Sequence, residues 1–220
     1  MILLKNIIPG SENIRNIIFD FGGVLCDLDI QRTVEKFKEF GPAKSDGLLS
    51  REEQDNQFAL LVETYEKGNI ISREFRDAIK NHYLIPPTDQ AVDDTWNALL
   101  VGIPVNRIEL LRKIKDHYRI FLLSNSNEIH YLHYLDMFRH VSGYKDFNDL
   151  FEKAYFSFQL HLAKPGREIF EFVLRDSQLN PLQTLFIDDT LKHIETARKL
   201  SINGYHLQLQ KGEMVIDLFE

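Results

Sequence analysis

The sequence predicts an α/β protein with a parallel sheet and a helical insertion after the first strand. Short apolar runs alternate along the chain with stretches of helical periodicity, which is the pattern of strand–helix–strand units. Most gaps between the runs fit one helical crossover, but about a hundred residues separate the first run from the second. A chain of 220 residues with 44% hydrophobic content can bury a core of this kind.

Five apolar runs are predicted to form the strands of the sheet. Because one crossover helix joins parallel neighbours, we expect these strands to run in parallel. They cover residues 16–20, 119–124, 154–157, 184–188 and 205–209.

The long first gap is predicted to be a small helical cap over residues 28–102, with a core formed by residues 1–27 and 103–220. Apolar residues recur in it at helical spacing, and Gly68–Asn69 and Pro86–Pro87 break the pattern. We interpret its apolar stripes as core and assign no binding residue to them. The recurring residues are Phe58, Leu61, Val62, Tyr65, Phe75, Ala78 and Ile79.

Composition narrows the classes of partner. The net charge is −7, from 26 basic and 33 acidic residues, and no basic stretch could neutralise a line of phosphates, so we expect no nucleic-acid partner. The N-terminal apolar run is broken by Lys5 and Asn6, which argues against a membrane span or signal peptide. One cysteine, Cys26, rules out an intrachain disulfide and predicts a cytoplasmic protein, with Cys26 as a small buried hydrophobic residue. The oligomeric state leaves no trace in the sequence.

Asp20 follows the first apolar run and is itself followed by Phe21 and the pair Gly22–Gly23. In open α/β sheets, ligands bind at the carboxyl ends of the strands, so a carboxylate in this turn is a candidate for chemistry. Aspartate also caps turns without any further role, and Asp20 alone does not decide between the two.

The second predicted strand ends in Ser124, followed by Asn125 and Ser126. Asn125 and Glu128 have the spacing of a capping box, so we expect the next helix to begin here and to direct its N–H groups toward the sheet edge. Such a helix start can bind an anion, although capping alone would also explain these residues.

Two further positions carry charge beside predicted strand ends. Asp188 and Asp189 are adjacent carboxylates, which repel each other unless a cation or proton lies between them. Oxygen ligands of this kind favour a hard ion such as Mg²⁺. Lys164 precedes Pro165, which can start a helix, and could offset the carboxylates and bind a phosphoryl oxygen.

The order and spacing of these elements resemble the haloacid dehalogenase superfamily over nearly the whole chain. Its members are mostly Mg²⁺-dependent phosphatases with a Rossmann-like parallel sheet, often with a helical cap. The turn Asp-Phe-Gly-Gly-Val-Leu and the phrases Ser-Asn-Ser-Asn and Lys-Pro-Gly-Arg-Glu-Ile-Phe look most similar to a bacterial branch that includes α-glucose-1-phosphate phosphatases.

This resemblance assigns roles to the residues above. It implies that Asp20 attacks the phosphorus and forms an aspartyl-phosphate, and that Ser124, Asn125 and Lys164 bind the phosphate. Asp188 and Asp189 would hold Mg²⁺, together with Asp20 and the main-chain oxygen of Gly22.

The sequence departs from the family pattern at two positions. Gly22 stands where most of these phosphatases carry an aspartate that protonates the leaving oxygen and then activates water. General acid–base help is worth ~10² to 10⁴ in rate, so another group must supply it if turnover is efficient. Asp27 and Asp29 lie nearby, but nothing in the sequence brings either to the site. His193 stands where relatives often have Asp or Asn, and it either donates a hydrogen bond to the metal carboxylates or lies on a helix surface.

His130, His133, Asp136 and His140 have the spacing of one helix face, which could form a zinc site. No accompanying motif supports such a site, and we interpret this face as solvated surface.

Three functions remain open. The first is a Mg²⁺-dependent phosphatase acting on a small phosphomonoester such as a sugar phosphate. The second is a 2-haloacid dehalogenase, which also lacks the second aspartate but needs no metal. The third is a non-catalytic phosphate-binding protein that has lost acid–base function at Gly22.

Overall fold

The structure, a computed structural model, describes residues 3–5, 10–42 and 51–220. Five parallel strands form one sheet, with the first strand in the centre of the order β5-β4-β1-β6-β7. These strands are β1 (Asn16–Phe19), β4 (Arg119–Ser124), β5 (Lys153–Phe156), β6 (Thr184–Asp188) and β7 (Asn203–His206). The predicted α/β class and the parallel direction of the strands are confirmed.

The limits of β4 and β6 agree with the predicted ones, and those of β1, β5 and β7 differ by one to three residues. β7 begins at Asn203, two residues before the prediction, because it pairs with β6 from Leu185 onward. Its pairing ends at His206 because β6 ends at the partner residue, Asp188. β5 is displaced by one residue in the same direction, and β1 ends one residue before Asp20.

Two hydrophobic clusters lie on the two faces of the sheet. Ile17 and Phe19 of β1 belong to one cluster, and Ile18 between them belongs to the other. Alternate residues of a strand point to opposite faces. A strand that is buried on both faces is therefore a continuous apolar run and does not alternate between apolar and polar residues. The helices that accompany the sheet are α5 (Val105–Ile114), α6 (Glu128–Ser142), α7 (Ser157–Leu160), α8 (Arg167–Asp176) and α9 (Leu191–Lys199).

The long connection between β1 and β4 is mainly helical. It contains α1 (Ile30–Glu39), α2 (Arg51–Glu66), α3 (Ser72–His82) and α4 (Asp89–Trp96), and the predicted breaks at 68–69 and 86–87 fall between helices. A short antiparallel ribbon of β2 (Asp27–Leu28) and β3 (Leu100–Gly102) joins its two ends. The ribbon lies at the two predicted boundaries between cap and core, after residue 27 and after residue 102. The division into cap and core stays a prediction.

The insertion has a small core of its own. Tyr65, Phe75 and Trp96 are buried in a cluster that also includes Ile129 of α6. The rings of Tyr65 and Phe75 stack with centroids 4.3 Å apart, and the ring of Phe75 is also 5.0 Å from that of Trp96. Ile79 is buried in the same cluster and Leu61 packs against it, whereas Phe58 is 41% exposed, so the interpretation of the stripes as core is wrong for Phe58. None of the helices in the described part of the chain combines the length and the hydropathy that a membrane crossing needs.

Gly68 lies where the insertion contacts the main chain of the sheet domain. Its φ is +66°, and a Cβ atom placed on it would lie 2.1 Å from the carbonyl oxygen of Phe158. Gly143, which ends α6, has a similar φ of +73° but open space around it. Glycine is therefore required at position 68 for two reasons, the left-handed backbone and the close contact with another main chain. At position 143 it is required only for the left-handed backbone.

We expect Gly68→Ala to lower the free energy of unfolding by more than Gly143→Ala does. The left-handed conformation should cost either variant about 1–2 kcal/mol, and Gly68→Ala must also move the Phe158 carbonyl. Urea unfolding of the two variants beside the parent protein measures the difference. Equal losses would show that the contact between Gly68 and Phe158 is not as close as described.

Candidate active site

The carboxyl ends of the three central strands bring the predicted site residues together. Asp20 follows β1, and its backbone N–H donates to Ile187 of the neighbouring β6 at 2.9 Å. Ser124 ends β4 on the other side, and Asp188 ends β6. All three side chains are buried, so this edge of the sheet is a polar site enclosed by protein.

Lys164 lies at the centre of this site. Its ammonium group donates to Asp20 Oδ1 at 2.6 Å, to Asp188 Oδ2 at 2.8 Å and to the carbonyl oxygen of Leu123 at 2.9 Å. An ammonium has three protons, and each of them has a partner here. Lys164 is 3% exposed, so these charge-assisted bonds are shielded from water.

Asn125 holds the main chain of Lys164 in place. Its Nδ2 donates to the Lys164 carbonyl oxygen at 2.8 Å, and its Oδ1 accepts from the Lys164 N–H at 2.9 Å. Sequence reasoning missed this pairing, because the two residues are 39 positions apart. Contact of Asn125 with substrate stays a prediction.

The predicted capping box at Asn125 and Glu128 is wrong. α6 begins at Glu128, and its N-cap is Asn127, whose side chain accepts from the N–H of His130 at 3.0 Å. The predicted helix start at Pro165 is likewise displaced, since α8 begins at Arg167 after Gly166. Asn125 and Pro165 therefore both lie in the loops before these helices and not in the helices themselves.

The start of α6 is also less open to an anion than the sequence predicts. The N–H of Ser126 donates to Ser157 Oγ at 2.8 Å, and the N–H of Ile129 donates to the Tyr65 hydroxyl at 3.1 Å. These amides and that of His130 already have protein partners. These three amides are therefore not free to bind an anion.

The acidic pair after β6 is fixed by its neighbours. His193 Nδ1 lies 3.0 Å and 2.9 Å from the two oxygens of Asp188, and the N–H of Thr190 donates to Oδ1 at 2.7 Å. Of the two roles considered for His193, the structure shows the contact with the carboxylate. Asp189 packs against Gly23, where a Cβ atom would lie 2.6 Å from its Oδ2, so only glycine leaves room for this carboxylate.

Burial and charge set the ionisation of the cluster. Burial raises the pKa of Asp20 to about 7; the Lys164 ammonium opposes this rise and the charge of Asp188 adds to it. Burial acts in the same direction on Asp188, but Lys164 and His193 outweigh it and hold its pKa well below the usual range. Burial and Asp188 raise the pKa of Asp189. The pKa of Lys164 is raised because its two carboxylate partners outweigh its burial, so it stays charged.

The same carboxylates fit a divalent cation. Oxygen atoms of Asp20, Asp188 and Asp189 lie within 4.8 Å of one another, and no other such acidic, histidine or cysteine cluster occurs in the described residues. Lys164 provides one positive charge against three carboxyl groups, which leaves negative charge for an ion to balance. Hard oxygen donors in this arrangement suit Mg²⁺. Ligation by the Gly22 carbonyl stays a prediction.

The aspartates near Gly22 in sequence are engaged elsewhere. Asp27 pairs with Arg107 at 2.7 Å, and Asp29 caps α1 by accepting from the N–H of Gln31 at 3.1 Å. A Cβ atom on Gly22 would meet the Leu28 side chain at 2.8 Å, so an apolar group lies where the missing side chain would begin.

A cavity of about 520 Å³ opens over the site between the sheet and the insertion. We call it the site cavity. Gly22, Ser124 and Asn125 line it from the sheet side, and mostly apolar residues line it from the helices. Glu66 at the end of α2 and His130 of α6 also face it. Sequence reasoning assigned no role to Glu66, and its helical pattern carried no signal of one.

Two other predictions concern residues outside this cluster. Cys26 is fully buried, and burial raises the pKa of its thiol to about 12, which confirms a role as a small hydrophobic residue. The proposed histidine face is solvated at His133 and His140, but the interpretation is wrong for His130. His130 is buried, stacks on Trp96 at 4.9 Å and bonds to Asn97 at 3.0 Å.

A central aspartate, a buried lysine and an acidic pair at the carboxyl edge of a parallel sheet define a class of hydrolases. The chain belongs to the haloacid dehalogenase-like hydrolase family, whose model matches residues 14–200.

Individual relatives agree with this assignment. The chain is 30% identical over 192 residues to D-ribitol-5-phosphate phosphatase of Bacteroides thetaiotaomicron, covering 87% of this chain and 91% of that protein. A haloacid dehalogenase family enzyme of the same organism, solved in complex with magnesium and inorganic phosphate, superposes with a TM-score of 0.80 at 34% identity over 93% of this chain and 98% of that one. A predicted hydrolase of this family from Porphyromonas gingivalis has a TM-score of 0.73 at 32% identity, covering 88% and 90% of the two chains.

Proposed function

We propose that this protein is a Mg²⁺-dependent phosphatase that hydrolyses a small phosphomonoester through an aspartyl-phosphate. The observation that carries the proposal is the position of Lys164, which bonds at once to Asp20, to Asp188 and to the carbonyl oxygen of Leu123, the neighbour of Ser124 in the site cavity. A nucleophilic carboxylate, a cation for the phosphoryl oxygens and an acidic pair for a metal are then within one cluster.

Asp20 is the residue we assign to attack. Its Oδ1 is bonded to Lys164, and the next two residues of the chain, Phe21 and Gly22, line the site cavity. A carboxylate oxygen attacks phosphorus, the bond from phosphorus to the leaving oxygen breaks, and an aspartyl-phosphate forms. Water then attacks the same phosphorus and frees both Asp20 and inorganic phosphate.

Lys164 and Ser124 stabilise the phosphoryl group in this scheme. Asn125 fixes the main chain of Lys164, and the ammonium would exchange one of its three present partners for a phosphoryl oxygen as charge develops there. Asp20, Asp188 and Asp189 would hold the metal, with His193 orienting Asp188. When bound, Mg²⁺ would offset the negative charge of the carboxylates and of the phosphate.

The substrate we propose is a phosphorylated sugar or polyol. The relative from Bacteroides thetaiotaomicron is named for D-ribitol 5-phosphate, and a cavity of about 520 Å³ is large enough for a molecule of that size. The single buried thiol of Cys26 is compatible with the cytoplasmic location that the sequence predicts.

The dehalogenase alternative is not retained. Dehalogenases of this superfamily need no metal, whereas three carboxylates converge here, and the curated relative is a phosphatase. The non-catalytic alternative rests on Gly22 alone and predicts no turnover of any phosphoester.

Removal of the metal should abolish activity. We expect phosphate release from D-ribitol 5-phosphate, a sugar phosphate or 4-nitrophenyl phosphate in Mg²⁺ to stop in EDTA and to return when excess Mg²⁺ is added. Mg²⁺ at a hundred times its dissociation constant should also stabilise the fold by about 2.7 kcal/mol, which a thermal melt detects. Turnover that persists in EDTA would refute the proposed metal site. A melt that shifts with Mg²⁺ in a protein that hydrolyses none of these compounds would favour the non-catalytic alternative.

A further inference from the structure

A phosphatase with this site has no carboxyl group at the usual position to protonate the leaving oxygen. That position is occupied by Gly22, and a Cβ atom placed on it would lie 2.8 Å from the Leu28 side chain. Asp27 and Asp29 are committed to Arg107 and to the start of α1. An alkoxide leaves slowly without a proton, so efficient hydrolysis of a sugar or polyol phosphate requires a donor from another part of the chain.

Only two carboxyl side chains line the site cavity within the described residues, and both come from α2. Glu63 is 59% exposed and pairs with Lys67 at 2.6 Å, so it is a solvated ion pair on the helix surface. Glu66 is the last residue of the helix and is only partly exposed. It lines the cavity together with Gly22 and Ser124.

The main chain of Glu66 is fastened to the loop that carries the site. Ser157 Oγ lies 2.6 Å from the Glu66 carbonyl oxygen and also contacts the N–H and the carbonyl oxygen of Ser126, at 2.8 Å and 3.0 Å. One residue further, His161 Nδ1 lies 3.0 Å from the carbonyl oxygen of Lys67. These contacts fix the position of the end of α2 relative to the loop of residues 124–126. A catalytic group must be positioned in this way.

We propose that Glu66 is the general acid and base of this enzyme and replaces the carboxyl group absent at Gly22. The inference rests on the proposed phosphatase function and adds a residue to it. In the first step the Glu66 carboxyl proton passes to the leaving oxygen as the bond from phosphorus to that oxygen breaks, and Glu66 becomes a carboxylate. In the second step this carboxylate takes a proton from the water that attacks the aspartyl-phosphate, which restores the acid.

The surroundings of Glu66 suit both steps. Burial raises its pKa to about 7, with the Lys164 ammonium opposing the rise and Glu63 adding to it. The carboxyl ends of helices also disfavour negative charge, and Glu66 stands at one. His130 does not compete for the role, because burial lowers its pKa to about 3 and leaves it neutral at pH 7. The Tyr134 hydroxyl, which also lines the cavity, is bonded to Ser126 and its pKa is raised well above the usual value.

The test compares leaving groups in Glu66→Gln. D-Ribitol 5-phosphate releases an alkoxide that needs a proton, whereas 4-nitrophenyl phosphate releases a phenolate that does not. Since kcat/KM reports the steps up to departure of the leaving group, we expect it to fall ~10² to 10⁴-fold for the alkyl substrate and to change little for the aryl one. The aryl kcat should fall, with a burst of nitrophenolate, because water activation is also lost.

Two further variants make the test decisive. Glu66→Asp keeps a carboxyl group on a shorter side chain and should recover part of the alkyl activity. Glu35→Gln changes an exposed glutamate of α1, which accepts from Gln31 at 3.3 Å, and should leave both substrates unaffected. An equal loss of kcat/KM on both substrates, or no loss on the alkyl one, would overturn the role of Glu66. Failure of the parent protein to hydrolyse either substrate in Mg²⁺ would instead refute the proposed function.

Discussion

Asp20→Asn is expected to lose at least ~10⁴-fold in phosphatase turnover, because an amide does not attack phosphorus and no covalent intermediate can form. The fold should survive the change. Asparagine has the same shape, and Lys164 keeps its bonds to Asp188 and to the Leu123 carbonyl oxygen. Phosphate release in saturating Mg²⁺, with circular dichroism to verify folding, measures the effect.

Asp29→Asn is the matched control for this variant. Asp29 lies nine positions further along the chain and caps α1 through its side-chain oxygen. Asparagine caps a helix about as well as aspartate, so neither stability nor turnover should change. If Asp20→Asn retained more than about a hundredth of the parent turnover, the nucleophile would have to be another group.

Lys164→Met should have the largest effect on stability. Methionine fills the space of the lysine stem but leaves the carboxylates of Asp20 and Asp188 facing each other without the ammonium between them. Breaking a buried ion pair in this way costs about 3–5 kcal/mol, because an uncompensated charge stays buried. We expect urea unfolding in EDTA to show a loss of this size. Turnover should fall by about 10²–10³-fold or more, since in the proposed mechanism Lys164 also stabilises the phosphoryl oxygens.

Two measurements distinguish the loss of the buried ion pairs of Lys164 from the effect of replacing any lysine by methionine. Lys153 forms a surface ion pair with Asp176 at 2.7 Å, and Lys153→Met should change stability by less than about 1 kcal/mol. Mg²⁺ should return part of the stability of Lys164→Met, because the cation can offset the same carboxylates. Equal unfolding free energies for the two variants in EDTA would contradict the buried cluster as described.

The parallel sheet and the strand ends that carry polar groups were predictable because their signals are local. A run of apolar residues followed by a glycine turn predicts where β1 stops, and it places Asp20 at that edge whatever the rest of the chain does. Ser124 and Asp188 follow from the same argument applied to β4 and β6. The errors are local as well. Several side chains in the loop before α6 can cap a helix, and only the structure shows that Asn127, and not the predicted Asn125, does so.

By itself, the sequence determined the fold class, the family and which strand ends carry the chemical groups. Tertiary structure decided the partners of those groups. Lys164 and Asp20 are 144 residues apart, and a hydrogen bond across that distance depends on how every intervening element packs. The same holds for Glu66, whose place over the site is set by contacts of α2 with Ser157 and His161. Helical periodicity specifies which face of α2 is buried, but not which group its last residue meets across a cavity.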